Sequence, residues 1–222
     1  MLTPRLKSII NHVKCEKAAD IGTDHAYVPI ALIEKGLIKS AIASDIKAGP
    51  ASIAEENIKK HNMSDKIEVR IGAGLSVLKE NEVDTIIIAG MGGEMIEKII
   101  TDDMDKAKSA TLILQPMNSQ YELRHFLINN GFSILEEDIS VEGFKVYNLL
   151  IVKKGENKPF LKDIHYHIPP YLKSHPLYNE LYNKKKREFT KVINGLLNSK
   201  DCDIKKLEIY KKWLGELHHE SI

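Results

Sequence analysis

Short apolar runs alternate with longer amphipathic stretches along the first two thirds of the chain. The runs are Lys17–Ile21, Ser40–Asp45, 66–71, 84–89 and 109–114, and they read as strands. Apolar residues at helical spacing fill the intervals at 26–35, 50–61, 94–100 and 119–130. Thr85-Ile86-Ile87-Ile88-Ala89 is apolar at successive positions, as in a strand covered on both faces. Ahead of the first run, Thr3-Pro4 supplies a capping hydroxyl and a proline for a helix carrying Leu6, Ile9, Ile10 and Val13. Such alternation predicts an α/β fold, a doubly wound and mostly parallel sheet flanked by helices.

The rhythm changes after Gly131, where 132–141 and 144–153 follow one another as strands joined at Glu142-Gly143, with no helix between. Gly155 to Pro159 reads as a linker, and the stretch through Pro169-Pro170 and His175-Pro176 shows little regular pattern. Beyond it, Tyr178, Tyr182, Lys185, Phe189, Val192 and Leu196 recur at alternating steps of four and three, as do Leu207, Tyr210, Leu214 and Leu217. These seams predict an antiparallel helical hairpin, a coiled coil turning near 198–203. The expected division is therefore a body at 1–155 and a helical-hairpin domain at 156–222.

Composition changes this picture in two ways. Only Cys15 and Cys202 are present, far apart, which argues against a zinc site or a disulfide framework. The net charge of +1 divides into −3 over residues 1–155 and +4 over 156–222, so a polyanion would meet the tail first. A solvated helical surface would show the same excess. Residues 1–13 lack the apolar core of a signal peptide, and no run approaches membrane-spanning length. The expectation is a cytoplasmic protein with no membrane partner and no metal, a monomer rather than an obligate oligomer.

Candidate chemistry gathers where strands end. Asp20-Ile21-Gly22-Thr23-Asp24-His25-Ala26-Tyr27 follows the first strand, and an open parallel sheet binds its ligands beyond those carboxyl ends. One glycine, with Asp20 and Asp24 on either side, is not the G-x-G-x-x-G turn that cradles a pyrophosphate. An acidic loop of this kind suits a cationic, phosphate-free cofactor, and S-adenosylmethionine fits. Asp45, which ends the second strand 23 residues after Gly22, lies at the spacing of a carboxylate that grips ribose hydroxyls; a helix cap is its plainer reading. Gly72-Ala73-Gly74 permits close approach of backbone to a flat ligand, or is simply a turn. Ala89-Gly90-Met91-Gly92-Gly93 places three glycines in four positions at a strand-to-helix junction, as a floor for cofactor and substrate would need. Gln115 and Asn118 on the same rim could read a base edge or cap the next helix. His165, His167 and His175 lack the partners of a metal site and read as surface residues, as do His218 and His219.

Together these motifs resemble one family, the bacterial tRNA (adenine-22-N1)-methyltransferases. The resemblance covers residues 2–154 and is carried by Asp20 to Pro29, by Asp45 with Gly49-Pro50, by the Gly90 to Gly93 run and by Leu114-Gln115-Pro116; the tail is similar more loosely. It implies the class I methyltransferase fold, a seven-stranded Rossmann-like sheet whose normal ending is an antiparallel pair. It also implies S-adenosylmethionine as methyl donor and N1 of an adenine in tRNA as acceptor. Cofactor contacts would come from Asp20, Gly22, Thr23 and His25, from Asp45 and Ile46, from Ala73 and Gly74, and from Ala89, Gly90, Met91 and Gly92. Asp24 and Tyr27 become the catalytic candidates, and Lys184, Lys185, Lys186 and Arg187 join Gln115 and Asn118 as tRNA contacts. The chain departs from the family at Ala73, where many members carry Asp inside a Gly-Asp-Gly run, which leaves that contact with the cofactor's adenine to backbone groups. It also lacks the Asn/Asp-Pro-Pro-Tyr motif of enzymes that methylate exocyclic amines, in keeping with a ring-nitrogen target. The competing readings are a methyltransferase of the same fold acting on another RNA or a small molecule, and a non-catalytic RNA-binding module. A NAD-dependent oxidoreductase is disfavoured by the missing glycine fingerprint.

Overall fold

In the computed structural model, which describes residues 2–219, the apolar runs form one seven-stranded sheet. Met1 and residues 220–222, the outer ends of the two expected domains, lie outside the described residues. The strands are β1 (Lys17–Ile21), β2 (Ser40–Asp45), β3 (Ile67–Ile71), β4 (Thr85–Met91), β5 (Thr111–Pro116), β6 (Phe132–Glu142) and β7 (Lys145–Lys154). Their order is β3-β2-β1-β4-β5-β7-β6, with the first five parallel and β7 inserted antiparallel between β5 and β6. The direction of winding reverses between β1 and β4, and that switch point is where such sheets open a crevice.

Helices cover both faces. α1 (Pro4–His12), α2 (Tyr27–Glu34) and α3 (Ala48–Lys60) pack on one, over Ala18, Ala43, Ile87 and Ile113. The other is covered by α4 (Gly93–Asp102), α5 (Met104–Ser109) and α6 (Gln120–Asn129), over Ile42, Ile86, Ile88 and Leu112. Ile86, Ile87 and Ile88 are all buried because successive strand residues feed opposite cores, each contributing about 2 kcal/mol. No boundary expected for these strands and helices moves by more than two residues. α5 escaped the pattern because only Ala107 of its six residues is buried. Thr3 caps α1 as expected, its Oγ1 accepting from the Leu6 amide at 3.5 Å with Pro4 in the first turn.

Expectations beyond Gly155 need correction in several places. The stretch expected to lack pattern holds a short helix, α7 (Ile164–His167), and a 3₁₀ turn at Pro170–Ser174, with Ile164, Tyr166, Ile168 and Leu172 buried. His167 is not a surface residue: it is buried, stacked on Tyr121 at 4.4 Å and edge-on to Trp213 at 4.4 Å. The tail is the expected antiparallel pair of helices, α8 (Tyr178–Leu197) and α9 (Ile204–His219). It shares an apolar cluster with Ile139 of β6 and Val146 of β7. Arg124 and Glu137 form a fully buried ion pair beneath α7, with Arg124 Nη1 donating to the Tyr166 carbonyl at 2.8 Å.

Candidate functional site

The loop after β1 is held by two amides, Gly22 and Thr23, both donating to the Ser44 carbonyl of β2 at 2.8 Å. Gly22 has φ +75°, a conformation that favours glycine, and a Cβ there would push the tip of the Met91 side chain aside. Asp24 (φ 52°) and Ala26 (φ 56°) adopt left-handed backbone without being glycine. Such conformations, two within one short loop, concentrate where a structure is held for function.

The loop separates its two carboxylates. Asp20 is buried, accepts from Thr23 Oγ1 at 2.7 Å, and has its carboxyl pushed up to about 6 by burial, against the opposing pull of Thr23 and Arg5. Thr23 is buried with it and spends its hydroxyl on that bond. Asp24 instead is exposed, 3.4 Å from His25 Nε2, and His25 stacks on the exposed Tyr27 ring at 5.1 Å.

Beyond these strand ends lies a cavity of about 450 Å³. Ile21 and Gly22, Asp45 and Ile46, Gly72 to Leu75, and Met91 line it, so four of the sequence motifs meet there. Asp45 Oδ1 accepts from the Lys47 amide at 3.0 Å, and among the described residues no partner holds its other carboxylate oxygen. Ile46 is 65% exposed, an apolar side chain left uncovered at the mouth of an apolar cleft. Met95, Lys98, Ile99, Asp102 and Asp103 of α4 and its end complete the wall. The sequence offered no motif for them; their only signal was a helix following the glycine run.

The Gly90 to Gly93 run serves more than one purpose. Gly90 (φ +77°) faces Arg5, whose Nη1 lies 3.5 Å from where a Cβ would stand. A Cβ on Gly93 would lie 2.6 Å from the Ser119 carbonyl oxygen, so this glycine lets the β4 and β5 loops pack together. Ala89 packs against the core over α1, and the Met91 carbonyl accepts from the Met117 amide at 2.8 Å.

Gln115 and Asn118 fall on different levels. Gln115 is fully buried, and its Oε1 accepts from Arg5 Nη1 at 2.9 Å. It is therefore not on the rim as expected; it holds Arg5, a residue the sequence gave no reason to choose. Asn118 is exposed on the rim, and its Oδ1 accepts from the Gly93 amide at 3.3 Å.

The cationic run on α8 divides by helical phase. Lys185 is buried and paired with Glu188 at 2.8 Å, and Lys184 donates to the Val146 carbonyl at 2.8 Å. Both are turned onto the body, contrary to the expectation that all four face RNA. Lys186 and Arg187 are exposed, and with Asn183, Thr190, Lys191 and Asn194 they line an open groove.

The sequence profile of the methyltransferase domain family matches residues 2–150. The tRNA (adenine(22)-N(1))-methyltransferase of Bacillus subtilis is 35% identical over 157 residues, 70% of this chain and 66% of that protein, just under two thirds of its length. The structure of the B. subtilis m1A22 tRNA methyltransferase TrmK matches with a TM-score of 0.87 at 27% identity, over 99% of this chain and 98% of that one. A Streptococcus pneumoniae protein solved with S-adenosyl-L-methionine matches with a TM-score of 0.87 at 31% identity, over 99% of each chain. The chain belongs to the methyltransferase domain family and, within it, to the bacterial tRNA (adenine-22-N1)-methyltransferases.

Proposed function

We infer that this protein transfers the methyl group of S-adenosylmethionine to N1 of adenine 22 in tRNA. The observation that carries the reading is the apolar cleft at the switch point, with one carboxylate at the second strand end and no pyrophosphate turn. The residues fit the cofactor's nucleoside half. Asp45 has an oxygen available for ribose hydroxyls, and Ile21, Ile46, Leu75 and Ile99 offer apolar faces to adenine. Ala73 brings no carboxylate and its carbonyl already accepts from Ser76, so the backbone amides of 73–74 take the edge of the base. Gly22 lines the floor toward β4, and the buried Asp20–Thr23 pair supports the loop behind it.

When bound, S-adenosylmethionine supplies a methyl group activated by the neighbouring sulfonium. Adenine N1 presents an in-plane lone pair, so the protein has no proton to remove before attack. Its task is positioning, which alone lowers such barriers substantially. N1 lies on the Watson–Crick edge, so the base must leave its stack before it can react. The stacked His25–Tyr27 pair, in the loop that leaves β1 at Gly22, offers a platform for it. Methylation leaves the base cationic, and the exposed Asp24 carboxylate stabilises charge as it develops.

The charge on 156–222 supports a contact with the tRNA backbone, made by Lys186, Arg187 and Lys191 rather than by the inward lysines. Cleft, rim and cationic groove occur on one chain, so a monomer suffices. No helix among the described residues is long and apolar enough to cross a membrane, and we assign the protein to the cytoplasm, where its substrate is. Incubation with unmodified tRNA and methyl-labelled S-adenosylmethionine tests the reading. Label recovered as N1-methyladenosine supports it; label in another nucleoside, or cofactor binding without transfer, overturns the assignment.

A further inference from the structure

β7 pairs with β5 only over Leu150 to Val152, whereas its pairing with β6 continues out to Lys145 opposite Glu142. The β6–β7 hairpin therefore extends five residues, roughly 16 Å, past the last β5 pair. It does so at the carboxyl end of the parallel strands, the edge that holds the cleft, about 10 Å to the side of β4 at two strand spacings. The arm is braced on both faces. On one side Ser8 Oγ of α1 donates to Asp138 at 2.6 Å, and Arg5 lies 5.9 Å over the Tyr147 ring. On the other, Lys184 of α8 donates to the Val146 carbonyl, and Ile139 and Val146 pack with Leu181 and Phe189.

The tip is a two-residue turn, Gly143-Phe144, in which Gly143 has φ +60° and Phe144 does not, as in a type II′ hairpin. The turn lies one residue later than the sequence pattern placed it. Phe144 is 89% exposed, with the exposed Lys145 beside it. A single exposed apolar residue is ordinary on a protein surface. Here the ring stands at the end of a braced arm that projects past the same sheet edge on which the cleft opens. Proteins that unstack nucleic acid insert this kind of side chain between bases.

We propose that Phe144 is a wedge that enters the base stack of tRNA beside the target adenine and holds open the gap left by that base. The proposal rests on the reading of this protein as a tRNA adenine-N1 methyltransferase. Phe144 is a positioning residue: it acts on the nucleic acid around the reacting base and not on the reacting atoms.

Full-length tRNA carrying 2-aminopurine at position 22 reports unstacking through its fluorescence, and unmodified tRNA reports methyl transfer in parallel. The wild-type protein raises the fluorescence several-fold on binding. Phe144→Ala, at saturating protein, loses most of that rise and about 10-fold in kcat/KM, the size of one base–aromatic stack, with cofactor affinity unchanged. Phe144→Tyr restores both. Leu161→Ala, at a fully exposed position off the arm, changes neither. A full fluorescence rise in Phe144→Ala overturns the wedge, as does an absent rise in a wild-type protein that methylates its tRNA. Failure of the wild-type protein to methylate tRNA at all instead overturns the reading beneath it.

Discussion

The cleft at the switch point and the seam beneath the helical hairpin rest on the same sheet but are built from opposite materials. The cleft is left open: Gly22 at φ +75° and Gly72 to Gly74 keep backbone close to a cavity of about 450 Å³ walled by Ile21, Ile46, Leu75, Met91 and Ile99. The seam is made of large side chains that fill their own space. Tyr121, His167, Phe189, Tyr210 and Trp213 stack edge and face, with the Arg124–Glu137 pair and Lys185 buried around them. A site that must admit a ligand leaves apolar walls uncovered and tolerates strained backbone beside them. A seam that must hold two parts together pairs the charges it buries, as Arg124 with Glu137 and Lys185 with Glu188.

Substitutions should therefore act differently in the two regions. The largest effect is expected at Asp24, where Asp24→Ala lowers kcat by roughly 10²–10³, the usual size for a lost group facing transition-state charge. Cofactor affinity should hold, which single-turnover kinetics and calorimetry would separate. Next comes Asp45→Ala, which removes charge-assisted bonds to ribose and weakens S-adenosylmethionine binding by about 10–100-fold, read by calorimetry. Neither variant should lower the melting temperature appreciably, because both side chains lie outside the cores.

The two regions also answer pH with opposite sign. Asp20 has its carboxyl raised to about 6 by burial, so the folded protein binds that proton more tightly than the unfolded chain. The stability this gives is complete below the unfolded value near 3.8 and is lost as pH rises through about 6. Asp20→Asn should accordingly stabilise the fold at pH 8 by on the order of 2 kcal/mol and much less at pH 4, as thermal unfolding at the two values would show. Such a gain alongside weakened cofactor binding would mark Asp20 as kept for function.

His167 behaves in reverse. Burial, with Lys185, Arg124 and His125 nearby, holds its imidazole down at about 2, so the folded protein leaves it neutral. Its contribution is present above the unfolded value of 6.5 and is lost as pH falls below that value. Each pH unit below 6.5 removes up to about 1.4 kcal/mol from the seam. Trp213, the one tryptophan in the chain, packs against His167 and gives the readout. Its emission should shift red on acidification, and His167→Gln should blunt the shift.

The same contrast explains what could be read from sequence. Gly22, Asp45 and Gly90 were legible because each answers a local demand, a turn or a strand end at a fixed spacing. Arg5 was not, because its role depends on Gln115, 110 positions away on a strand it does not neighbour in sequence. Arg124 and Glu137 carried no local sign of burial, since it takes α7 and Tyr171 of the following turn, both distant in sequence, to cover them. Lys185 is the instructive case. It occupied a seam position in the periodicity of α8, between Tyr182 and Phe189, and helical phase turned it inward while charge alone pointed to RNA. His167 lay in a stretch without periodic pattern, where contact with Tyr121, Phe189 and Trp213 is decided by tertiary structure.

The most direct test of the central claim is primer extension on tRNA treated with protein and S-adenosylmethionine, since a methyl group on N1 blocks Watson–Crick pairing and stops the polymerase. The account predicts a new stop caused by nucleotide 22, absent when that adenine is replaced by guanine. A stop at another adenine, or one that persists in the replaced tRNA, would contradict it.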